Sequence, residues 1–220
     1  MARVLGVLGG MGPAATTAFL ARVQALTPAG ADEDHIRVIA DINPQVPNRH
    51  TQPEAAGRTL GEMARALKAA GAQVLAMPCN TAHAHADAIR AANLPFIDMI
   101  AETAKAAGAA GARRVGVLAT PGAALLYAEA LAAEGLEMVA PSPAERERFM
   151  QVVFGVKAGD VGPDQRAAMR DLAQALIAAG AEAVIGGCTE VPLLLDQGDV
   201  DAPLIDSAEV LARACVAACR

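Results

Sequence analysis

The chain has no tryptophan, one tyrosine and four phenylalanines in 220 residues, so it lacks the ring faces on which nucleic-acid bases stack. Positive charge is also short. Eighteen Lys and Arg stand against 24 Asp and Glu, a formal net charge of −6, which supplies no phosphate-neutralising face and makes nucleic acid an unexpected partner. Long runs of large apolar residues are missing: 54 positions are alanine, and no uncharged run has the roughly 20 large apolar residues of a bilayer span. No membrane association is expected. Cysteine is scarce as well. Cys79, Cys188, Cys215 and Cys219 are too few for a disulfide scaffold and include no CxxC pair of the zinc-knuckle kind. They read as reduced thiols of a cytoplasmic protein. The uncharged stretch Val4 to Ala21 follows Arg3 as a secretory leader would, but Gly9, Gly10, Gly12 and Pro13 interrupt it, which favours a retained strand and turn.

What the chain does have is alternation. Short apolar runs begin at Val4, Ile36, Gln73, Arg113, Met138 and Ala183, and Ala-rich stretches of helical length lie between them. Two of these, Pro53 to Ala70 and Pro163 to Ala179, open with proline and close at glycine, the order of helix start and stop signals. The pattern is that of an α/β protein with parallel sheet.

The sequence also repeats itself. Val4-Leu5-Gly6-Val7-Leu8 aligns with Arg114-Val115-Gly116-Val117-Leu118 at an offset of 110. Ala70 through Cys79 aligns with Ala179 through Cys188 at 109. Pro95-Phe96-Ile97-Asp98 aligns with Pro203-Leu204-Ile205-Asp206 at 108. Three matches in order indicate an internal duplication: two similar lobes, each a parallel-sheet α/β sandwich, with residues 1–98 plus 204–220 in one and 99–203 in the other.

Cys79 and Cys188 take the same place in each repeat, where a strand ends and a helix is expected to begin. In open parallel sheets that is where ligands bind. Asn80 and Thr81 follow Cys79, and Thr189 and Glu190 follow Cys188, so each thiol sits beside a plausible N-cap, and a helix N-terminus there would draw a thiol pKa down toward neutrality and hold a carboxylate. Buried cysteines commonly just fill space, but two at duplicated strand ends, facing one cleft between the lobes, suit a different task. A base on one face of a tetrahedral carbon and an acid on the other can invert it.

Gly6 to Ala15 (GVLGGMGPAA), Met77 to His83 (MPCNTAH) and Gly187 to Leu194 (GCTEVPLL) resemble the aspartate/glutamate racemase family, in its aspartate racemase branch. The resemblance implies a two-lobed, homodimeric enzyme that needs no cofactor, neither PLP nor metal, and in which Cys79 and Cys188 are the acid/base pair. It also implies that Asn80, Thr81 and Thr189 bind the α-carboxylate of a small-molecule amino acid and that Met11 and Thr120 line the pocket. Arg49 and Lys157 match the positions that recognise a side-chain carboxylate, a role that suits a bidentate guanidinium and a point charge. Asn48 stands where the family usually has Asp, and Ala123 where a second Thr is common, so the resemblance leaves the preferred acidic amino acid open. Hydantoin racemases, maleate isomerases and decarboxylases share the lobes and the cysteines.

Two other motifs point elsewhere. Gly10-Met11-Gly12-Pro13-Ala14-Ala15, with Asp41 ending the next strand, satisfies a loosened dinucleotide fingerprint and would make this an NAD-binding α/β protein, although that leaves the paired cysteines unexplained. His83-Ala84-His85-Ala86-Asp87 resembles a metallo-hydrolase motif, but its final His is Ala88, only His35 and His50 remain as further histidines, and a helix beginning near Thr81 accounts for the spacing. Cys215 and Cys219, one helical turn apart, are expected to pack against the core.

Overall fold

Each half of the chain builds the same parallel sheet from the same order of elements. In the computed structural model, which describes residues 2–49 and 51–220, the first half runs β1 (Leu5–Gly9), α1 (Pro13–Leu26), β2 (Val38–Ile42), α2 (Pro53–Ala69), β3 (Val74–Ala76), α3 (Ala86–Arg90), β4 (Phe96–Ile97) and α4 (Met99–Ala109). The second runs β5 (Arg114–Ala119), α5 (Pro121–Ala133), β6 (Glu137–Val139), α6 (Pro143–Lys157), α7 (Pro163–Ala178), β7 (Ala183–Gly187), β8 (Leu204–Asp206) and α8 (Ser207–Cys219). Strand order is β2-β1-β3-β4 in one sheet and β6-β5-β7-β8 in the other, and every pairing is parallel. The inner strands β1, β3 and β7 are buried along their whole length, which is why they read as unbroken apolar runs. The stretch from Val4 to Ala21 is therefore mostly the central strand β1 and the helix after it.

Helix boundaries follow local chemistry. Proline occupies the first turn of α1, α2, α5, α6 and α7, where its missing N–H costs nothing. Ser142 and Glu145 close a capping box at α6: the Glu145 N–H donates to Ser142 Oγ at 3.3 Å and the Ser142 N–H to Glu145 Oε2 at 2.7 Å. After α2 and α7 the chain turns through Gly71 and Gly180 at φ near +100° (+104° and +96°), and the next N–H groups, of Ala72 and Ala181, return to Leu67 and Leu176.

The chain divides into two compact units, residues 1–102 with 208–220, and residues 103–207. In the first, one face of the sheet is packed by Leu5, Val7, Phe19, Val74 and Met99 with Leu211, Ala212 and Cys215 of α8. The other face carries Leu8, Leu60, Met63, Leu75, Met77 and Cys79. In the second, Leu118, Phe149, Val152, Leu172, Val184 and Cys188 belong to one core. The repeat extends to the closest contacts: a Cβ on Gly6 would sit 2.7 Å from Ala72 Cβ, and one on Gly116 would sit 3.1 Å from Ala181 Cβ and 2.9 Å from Leu176 Cβ. Glycine at both positions lets the helix that precedes the neighbouring strand lie directly on the sheet.

Candidate active site

In the first unit the expected residues gather at the carboxyl ends of the strands. Met11 follows β1, Arg49 lies in the loop after β2, and Cys79, Asn80 and Thr81 follow β3. Met11 and Cys79 share one buried cluster, Asn80 is buried, and Arg49 and Thr81 are half-buried. The helix expected from Thr81 is instead a 3-10 turn, Thr81–His85, followed by the five-residue α3, and Asn80 makes no side-chain cap to it. The macrodipole of a long helix is therefore not aimed at Cys79.

His83 holds this turn. Its ring is buried, with Nδ1 2.9 Å from the Cys79 carbonyl and Nε2 accepting the Met99 N–H at 3.1 Å. Since Nε2 accepts, the proton sits on Nδ1 and donates to Cys79. The ring also stacks on Phe96 with centroids 5.4 Å apart. Burial pulls the His83 pKa below its ordinary value despite the nearby Asp98 carboxylate, so the 4.0 Å approach of Asp98 to Nε2 is not an ion pair. Both ring nitrogens of His83 are engaged with backbone. His85 is different: its Nε2 and the Nε of Arg49 are buried without a hydrogen-bond partner among the described residues, and burial together with the Arg49 charge depresses the His85 pKa. Among the described residues no group of three or more His, Cys, Asp and Glu is placed to hold a metal ion. His50 lies outside the described residues.

The glycine turn after β1 closes on its own chain. The Gly10 N–H donates to Thr16 Oγ1 at 2.9 Å, Thr16 is fully buried, and a Cβ on Gly10 would run into the Asn43 backbone. Its first amide is bonded internally and does not point to a pyrophosphate, contrary to the dinucleotide reading.

In the second unit, Thr120 follows β5 and caps α5, its Oγ1 accepting the Ala123 N–H at 3.4 Å. Cys188 directly follows β7, with Thr189 and Glu190 leading into a 3-10 turn, Val191–Leu193. Here too the expected α-helical N-cap is absent. The structure brings Cys188, Thr189 and Lys157 together around Glu190, which the sequence suggested only as part of a helix cap and gave no role in the site. The Cys188 thiol donates to Glu190 Oε2 at 2.8 Å, the Thr189 hydroxyl donates to the same oxygen at 3.4 Å, and Lys157 Nζ lies 3.7 Å from Oε1. The expected lowering of the thiol pKa is overturned at Cys188: burial, and then the Glu190 carboxylate, push it well up, and Lys157 opposes this only weakly. Cys215 and Cys219 are buried on α8, and burial raises their pKa values as well.

Each half thus carries a buried thiol beyond the equivalent strand of a duplicated parallel sheet. The chain belongs to the Asp/Glu/Hydantoin racemase family, whose model matches residues 8–215. It is 28% identical to the broad specificity amino-acid racemase RacX of Bacillus subtilis, over 97% of this chain and 96% of that one. It is 30% identical to a glutamate racemase of Pseudomonas entomophila, over 88% of this chain and 74% of the relative. Among solved structures, the Picrophilus torridus aspartate racemase superposes with a TM-score of 0.83 at 26% identity, covering 99% of this chain and 94% of the other.

Proposed function

We propose that this chain racemises an acidic amino acid, aspartate or glutamate, without PLP or metal, with Cys79 and Cys188 as the acid/base pair, one from each unit. The observation that carries this is the repeat: the two thiols stand at the same position beyond equivalent strands, β3 and β7. One sulfur removes the α-proton while the other protonates the opposite face, and the roles exchange for the reverse reaction. Asn80, Thr81 and Thr189 bind the α-carboxylate, and Met11 and Thr120 line the pocket. The orphaned Arg49 Nε–H and the neutral His85 beside it suit a side-chain carboxylate. Lys157 adds a second cation, shared with Glu190. A homodimer in the cytoplasm is the form in which we expect it to act, consistent with four cysteines that are all thiols.

A wider substrate range is the second reading. It is favoured by the broad-specificity relative and by the pairing of Lys157 with Glu190, which partly neutralises one of the two recognition cations. Racemisation assays over a panel of L- and D-amino acids decide between the two. For the mechanism, Cys79→Ser and Cys188→Ser should each abolish racemisation, and near-normal turnover by either variant refutes the two-thiol assignment. In deuterium oxide, label should enter the newly formed enantiomer well before it enters recovered substrate. Nicotinamide cofactors should neither be required nor raise the melting temperature.

A further inference from the structure

The two halves of the duplication differ at the residue two places beyond each thiol. Residues 79–81 read Cys-Asn-Thr, whereas residues 188–190 read Cys-Thr-Glu. Thr81 thus stands where the second half has a carboxylate, so that position carries a titratable side chain in the second half and a hydroxyl in the first. Glu190 is buried, 6% exposed, and is held from three directions: by the thiol on Oε2, by the Thr189 hydroxyl on the same oxygen, and by Lys157 beside Oε1. The charged groups acting on the sulfur are Glu190, from its own turn, and Lys157, the last residue of α6. A buried carboxylate accepting a thiol proton at 2.8 Å favours the protonated sulfur, because ionising the thiol would put two anions in contact within a poorly solvated pocket.

We propose that Glu190, steadied by Lys157, is a positioning residue that keeps the proton on Cys188, so that of the proposed pair Cys188 is the member that starts as the acid. This rests on the racemase reading for its catalytic consequence, but the proton's location is a property of the protein alone. No bond is made or broken in the resting state: the proton stays on sulfur and its hydrogen bond points at Oε2. An otherwise pseudo-symmetric enzyme thereby acquires a preferred direction of readiness. The enantiomer that needs Cys188 as its base must first see that proton leave for solvent.

The test uses the full chain carrying Glu190→Gln, Glu190→Asp or Lys157→Met. The first readout needs no substrate: the rate of iodoacetamide alkylation at Cys188, located by peptide mass spectrometry, followed from pH 6 to 10. Removing the carboxylate should move the Cys188 profile to lower pH. For a profile displaced by one pH unit, the thiolate at pH 7 is about tenfold more abundant and about threefold less nucleophilic, so alkylation there should be about threefold faster. Lys157→Met should move the profile the other way, and Glu190→Asp should stay near wild type. An unchanged or slower Cys188 in Glu190→Gln, or profiles displaced in the same direction by both charge-removing variants, overturns the proposal.

The second readout is chloride elimination from the two enantiomers of a β-chloro acidic amino acid, which needs one thiolate only. Glu190→Gln should speed the elimination served by Cys188 relative to that served by Cys79, and an unchanged ratio overturns the proposal. If wild type acts on no amino acid, the racemase reading fails, while the alkylation profiles still decide where Glu190 holds the proton.

Discussion

Removing the His83 ring should cost both stability and turnover, in amounts set by what the ring touches. His83→Ala deletes a donor to the Cys79 carbonyl and an acceptor for the Met99 N–H, each worth about 1 kcal/mol net. Loss of the stacked contact with Phe96 adds about another 1 kcal/mol. The sum, about 3 kcal/mol, corresponds in a chain of this size to a melting temperature lower by about 6–12 °C. The carbonyl that loses its anchor belongs to the proposed catalytic Cys79, and a displacement of about 1 Å at a reacting group can cost about a hundredfold in rate. Acid should expose the same residue. Its pKa is lowered in the folded state, so the unfolded chain takes up the proton first. The stabilisation is therefore complete above about pH 6.5 and is lost as the pH falls below it, with a slope of at most about 1.4 kcal/mol per pH unit. Urea unfolding of wild type and variant at pH 7.5 and 5.5, with thermal melts at pH 7.5, measures both effects. A melting temperature within 2 °C of wild type, or a pH dependence equal in the two proteins, would refute the reasoning.

Alkaline pH should destabilise the protein through its buried thiols. Cys188, Cys215 and Cys219 all have raised pKa values when folded, so the unfolded chain ionises first and stability falls as pH rises past about 8.5. Thermal melts between pH 7.5 and 10 test this, and Cys215→Ala should flatten the slope. Gly10→Ala forces a side chain onto a residue at φ +97° and against the Asn43 backbone. A loss of about 2–5 kcal/mol in denaturant unfolding is expected from backbone strain plus overpacking. Gly6→Ala and Gly116→Ala, which meet equivalent neighbours in the two repeats, should each cost about 1–3 kcal/mol by overpacking, and a neutral result at both would argue against the close helix–sheet approach.

Much of the fold was legible because its signals are local. Buried inner strands such as β1 and β7 are unbroken apolar runs, and α2 and α7 announce themselves by proline at one end and glycine at the other. The two-residue β4 and three-residue β8 carry no periodicity of their own, and only the alignment of Pro95-Phe96-Ile97-Asp98 with Pro203-Leu204-Ile205-Asp206 hinted that they were equivalent. The sequence placed both thiols at strand ends but misjudged what surrounds them. A polar residue after a strand usually signals a helix cap, yet here the chain takes tight 3-10 turns, and at Cys188 desolvation outweighs any terminal dipole. The partnership of Lys157 with Glu190 spans 33 positions and depends on the end of α6 reaching the turn after β7, which no local pattern records.

The docking of α8 onto β1 has a consequence for synthesis. Leu211, Ala212 and Cys215 share a buried cluster with Leu5, Val7 and Phe19, so β1 and α1 are completed by a helix translated well after them. On the ribosome, the contiguous stretch 103–207 can complete its own core while residues 1–102 still wait with one side of their sheet covered only in part. A nascent chain stalled before α8 emerges should leave that side available to chaperones and proteases, and the emergence of α8 should close it.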